Sequence, residues 1–152
     1  LQEATVLLNI CISLFVIMES ANVLALYFYP DTKRFNGMGV FKAWHNIKDD
    51  ERYGDLARYL VNWVAGAKLI FLALLIVILF FGSRQVKVIS CAVMILSIAS
   101  FFWRLFPIMK KIDREGMTDP RNYHKTLAIM ITSIMGLFLV AFLVGLLSIN
   151  NP

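Results

Sequence analysis

The chain has 152 residues, of which 59% are hydrophobic and 16% charged, with a mean hydropathy of +0.71, a balance that excludes an ordinary soluble domain. The basic residues behind its net charge of +5 flank the apolar runs and alternate with acids in NIKDDERYGD, without the repeated aromatic interleaving that would suit nucleobases, so a nucleic-acid binder is excluded as well. The expectation is an all-α integral membrane protein: a single antiparallel bundle of four transmembrane helices over residues 1–152, with a short interfacial amphipathic helix in the first long loop. Its apolar runs are too long and continuous for the alternating strands of a barrel, and each can cross roughly 30 Å of hydrocarbon.

The first span covers about residues 5–28. It is too long, and too weakly charged at its front, for a signal peptide, and is expected to stay in the mature chain. Pro30 and Asp31 end it, with Tyr27 and Tyr29 placed as an aromatic belt. Within it the stretch VIMESANVLALYFYP carries Glu19 and Asn22. A lone charge at such depth costs about 2.5 to 3.5 kcal/mol even on lenient insertion scales, so Glu19 requires a partner, water or neutralisation.

The loop over 29–58 contains GMGVFKAWHNIKDD, in which Val40, Phe41, Trp44 and Ile47 fall on one helical face. This predicts a short interfacial helix with Trp44 as its anchor. FNGMG, just before it, lacks the strand and the lysine of a phosphate-binding loop.

The second span, 59–81, places Lys68 nine residues from its start near Tyr59, and Glu19 lies nine residues from Phe28. Both are therefore roughly 13 Å below the same membrane face. A Glu19–Lys68 contact is the cheapest answer for both charges. Asn62, Gly66 and Ala73 give this helix a face of small and polar residues.

A tight turn, GSRQV, leads to the third span, 86–106. Ser90, Ser97, Ser100 and Arg104 fall within a roughly 80° arc at 100° per residue, a polar stripe that should face protein or water. Cys91, like Cys11 in the first span, reads as a small buried hydrophobe. In the loop over 107–122, Lys110 and Lys111 are interfacial anchors placed to attract anionic lipid headgroups. Asp119 reads there as an N-cap and Pro120 as the first residue of the last helix. The last span, 123–148, continues a small-residue face through Asn122, Thr126, Ser133 and Gly136.

Twelve lysines and arginines lie on the side of the two long loops, against Arg84 and Lys87 on the other. The positive-inside rule then makes the long loops cytoplasmic and both termini noncytoplasmic, in a cell membrane expected to be the bacterial inner membrane. No HExxH, nucleophile elbow or glycine-rich phosphate loop is present, and His45 and His124 lack intramembrane metal or haem spacing, so no cofactor is expected and catalysis is the less favoured reading.

Glu19, Asn22, Asn62, Lys68, Ser97, Ser100 and Arg104 form the candidate ligand site. Two cations to one carboxylate suit a small anionic or zwitterionic solute entering from the cytoplasm. The expected function is a transporter or channel component, as a homo-oligomer because four helices make only a narrow conduit. One alternative is an accessory or assembly subunit bound to a partner membrane protein; another is a lipid-modifying enzyme.

Overall fold

The structure, a computed structural model, describes residues 2–150; Leu1, Asn151 and Pro152 lie outside the described residues. Five helices follow one another: α1 (Gln2–Phe28), α2 (Lys42–Ile47), α3 (Gly54–Phe81), α4 (Arg84–Arg114) and α5 (Tyr123–Asn150), with a 3-10 turn at Met38–Val40. Apart from α2, all are long and apolar enough to span a membrane. The described residues form no sheet, only an isolated bridge between Phe41 and Thr118.

The long helices are not packed as a closed ring. α1 lies against both α3 and α5, and α5 lies along α4, whereas α3 and α4 touch little although Gly82 and Ser83 alone separate them. The half near that turn is solid, built on Leu8, Cys11, Ile12, Phe15, Val88, Cys91, Phe138 and Ala141. Gly145 sets the approach of α5, since a Cβ there would stand 2.5 Å from a Val88 methyl. Small residues let membrane helices close in this way. Phe15 then meets Phe138 and Phe71 edge to face at 5.3 and 6.0 Å. This aromatic layer floors the other half of the molecule, where α3 and α4 diverge.

The long loops fold over the divergent half. Trp44 of α2, expected to anchor the loop among headgroups, is only 5% exposed and packs on Leu26, Val61 and Ala65. Its indole N–H donates to Asp31 Oδ1 at 2.6 Å. The ring is thus seated in protein, because a local carboxylate satisfies its polar edge and lets the rest be buried. Lys42 Nζ donates to the Gly116 carbonyl at 2.7 Å, tying the two loops together.

Two local expectations are corrected here. Helix α4 runs on through Pro107 to Arg114. Proline removes only the donor to the Trp103 carbonyl, while Met109 continues the apolar face and is buried with Val40, Tyr123 and Leu127. Nor does Asp119 cap the last helix with Pro120 as its first residue: α5 begins at Tyr123, after Asn122 at φ 62°. Asp119 pairs with Lys33 instead. The free N–H groups at the start of α5 go to Asp113 of α4, which accepts from Asn122 N at 3.0 Å and His124 N at 3.2 Å.

Candidate functional site

Glu19 and Asn22 stand three residues apart on α1 and so share a face. That face meets α3. Lys68 Nζ donates to Glu19 Oε2 at 2.7 Å and to Asn22 Oδ1 at 2.6 Å. The pair expected from equal depth is therefore formed, with Asn22 as its third member. Desolvation makes either charge costly alone, and the short charge-assisted bonds offset that cost.

Asn22, 5% exposed, is used on both edges of its amide. Its Nδ2 donates to the carbonyls of Phe35 and Asn36, the latter at 3.3 Å. Those carbonyls face it because Phe35 and Asn36 both adopt left-handed backbone, φ 53° and 56°. Asn36 Oδ1 in turn accepts from Tyr123 Oη at 2.8 Å. The first loop is thereby clasped to α1 and to α5 at the same point. Sequence reasoning missed Asn36 and Tyr123, although Asn-Gly at 36–37 is a turn signal that could have marked this tip.

The ion pair lies at the edge of a cleft of about 560 Å³ that reaches from Phe15 to the loop residues Asn36 and Phe41 and touches all four long helices. Lys68 and Glu19 side chains are 30% and 24% exposed, so both remain reachable from it. Ser97 and Ser100 line it from α4, and Phe101, Met130 and Ile134 are among its many apolar walls. Ser100 Oγ donates to the Ser97 carbonyl at 2.6 Å, within its own helix. Weak contact between α3 and α4 leaves the cleft open on that flank.

Of the candidate residues, Glu19, Asn22, Lys68, Ser97 and Ser100 are brought together; Asn62 and Arg104 are not. Asn62 borders a separate cavity of about 160 Å³ with Tyr27 and Arg58. Arg104 is exposed, its guanidinium 5.0 Å from the centre of the Trp103 ring, a cation–π contact on the outer surface. Lys110 and Lys111 lie near the end of α4 with no ion-pair partner among the described residues.

Lys87, which the sequence places among the flanking bases, is buried at 6% exposure. Its Nζ donates to Asn9 Oδ1 at 2.7 Å. No family model, curated protein or solved structure matches the chain. What fold and site define is a small polytopic membrane protein with four transmembrane helices, and the chemistry of the cleft is the guide to its use.

Proposed function

We propose that the cleft is the solute site of a small transport protein and that the solute is zwitterionic. The observation carrying this reading is the triad of Glu19, Lys68 and Asn22 at the edge of an apolar cleft, bonded to itself yet partly exposed. Opposite charges in one place carry no net charge. A zwitterion exchanging partners with them, its anionic group on Lys68 and its cationic group on Glu19, adds none either. An anion would leave one uncompensated charge among apolar walls, which is strongly unfavourable. With Arg104 outside the cleft, the second cation that made an anion attractive is missing from it.

The cleft lies in the half nearer the long loops, beyond the aromatic layer of Phe15, Phe71 and Phe138, which favours entry from that side. The twelve bases on the long-loop side support a cytoplasmic assignment for it. Cysteine labelling in intact cells tests this: an introduced Ser83→Cys is modified by an impermeant reagent from outside, and Asn46→Cys is not. Cys11 and Cys91, both fully buried, keep the background silent. The reverse labelling pattern overturns the orientation.

The test of function is uptake of zwitterionic amino acids and betaines by the reconstituted protein. Lys68→Met is expected to reduce uptake at least about tenfold, while Arg104→Gln leaves it within about twofold. A second reading draws on the open α3–α4 flank, where a partner's transmembrane helix or a second copy of this chain could close the cleft. No solute flux, together with a partner protein lost on Lys68→Met, would favour that accessory role.

A further inference from the structure

Independently of the transport reading, a second polar pocket of about 350 Å³ stands where α4 ends and α5 begins, lined by Asp113, Arg114, Glu115, Arg121 and His124 among others. Its centre is an oriented imidazole. Asp113 is buried and receives the Thr118 hydroxyl at 2.5 Å, the backbone N–H groups of Asn122 and His124, and His124 Nδ1. That arrangement fixes the ring with Nδ1–H towards the carboxylate, leaving Nε2 as its free nitrogen. Among the described residues no buried side-chain nitrogen or oxygen lacks a partner, and none is bonded to Nε2, so this atom retains access from outside.

Around the ring the cations are unspent and the nearest anion is not. Arg114 and Arg121 are exposed, and neither guanidinium has an ion-pair or hydrogen-bond partner among the described residues. Lys42 adds a positive charge at the rim through its bond to the Gly116 carbonyl. Asp113 is saturated by its four donors, which leaves Glu115 as the one opposing carboxylate without a bond. Two guanidinium forks and an imidazole exceed what a carboxylate's two oxygens can use; they suit the oxygens of a phosphate group. The pocket also lies just beyond Lys110 and Lys111, at the end of a spanning helix, the level at which headgroups are found.

We propose that this pocket binds a phosphate anion, free or carried on a lipid headgroup, with Arg114 and Arg121 on its oxygens and His124 as the third donor. Asp113 and the ligand hold the doubly protonated ring between them, Nδ1–H to the carboxylate and Nε2–H to the phosphate. The role of Asp113 is positioning: it acts on the ligand only through His124.

The chain has two histidines, which makes ring NMR a direct readout. The protein, labelled in its histidine rings and held in phosphate-free maltoside micelles, is titrated in one arm with glycerol 1-phosphate and in the other with phosphatidylglycerol. The expected result is movement of the His124 ring resonances in at least one arm, with exposed His45 unmoved. Response to glycerol 1-phosphate alone identifies a soluble phosphate as the ligand, and response to phosphatidylglycerol identifies the headgroup. The Arg114→Gln, Arg121→Gln double variant, which removes no bond of the fold, should weaken binding at least about tenfold, and Arg34→Gln, the loss of an exposed charge elsewhere, should not. A His124 ring unmoved in both arms, or one that responds equally in the double variant, overturns the proposal.

Discussion

Lys68 and Lys87 each reach from one spanning helix to a side chain of α1, and they are accommodated in opposite ways. Lys68 has a carboxylate and an amide as acceptors and a cleft beside it. Lys87 is more deeply buried and has the Asn9 amide oxygen as its one hydrogen-bond acceptor. Its position, in the first turn of α4 behind the Ser83 cap, is the unfavourable end of a helix for a cation. What it does provide is a polar tie between α1 and α4, helices that otherwise touch little. The difference teaches that intramembrane charge is not itself the mark of a site. A charge paired and still reachable can exchange its partner, and one enclosed with a neutral partner can only hold helices together.

The comparison breaks most visibly at Lys68. Lys68→Met strands Glu19 in an apolar setting and should cost about 3 to 5 kcal/mol of stability, measured by unfolding in mixed micelles. Glu19→Leu combined with Lys68→Met should recover most of that loss, because the pair is removed whole. Additive losses in this double-mutant cycle would show that the two side chains do not act as a pair.

At the Lys87 contact the order of damage should reverse. Asn9→Leu leaves an ammonium enclosed without its acceptor and is expected to cost about 2 kcal/mol, whereas Lys87→Met leaves only an amide unpaired, at about 1 kcal/mol. Equal costs, or a larger one for Lys87→Met, would mean that the lysine contributes more than a tie. Neither variant should change solute uptake once corrected for the amount of folded protein.

Legibility in the sequence divides along the same line. Apolar length identified the four spanning helices, and equal depth on neighbouring antiparallel helices was enough to bring Glu19 to Lys68. Periodicity failed at Arg104, which belongs to the same stripe as Ser97 and Ser100. Arg104 falls inside that arc, between Ser97 and Ser100, so helical angle did not separate it from them; what periodicity cannot register is Trp103 beside it, a surface on which the guanidinium stacks outside the cleft. The Lys87–Asn9 contact was not legible because the place of Lys87 in the sequence, next to a turn, says nothing of an amide 78 positions away. The capping role of Asp113 escaped for a similar reason, since local rules look for the cap immediately before the helix, where Asp119 stood and was claimed by Lys33.

The smallest effect tests the comparison outside the membrane, where Lys48 and Asp31 pair at 3.0 Å with the Asp31 side chain 56% exposed. The Trp44 indole N–H first, and then Lys48, hold the Asp31 carboxyl below its ordinary range. A carboxyl depressed in the folded state stabilises above its unfolded pKa, about 4, and that contribution disappears as pH falls through the folded value. Acidification from about pH 5 to about pH 3 should therefore loosen the Trp44 seat, an effect Asp31→Asn removes. Solvent screening keeps the contribution within about 1 kcal/mol, well under that of the Lys68 pair. Trp44 fluorescence in a Trp63→Phe, Trp103→Phe background reads the change. An acid transition identical in the presence and absence of Asp31→Asn would assign it to other carboxyls, and would leave Trp44 held by its packing against Leu26, Val61 and Ala65 alone.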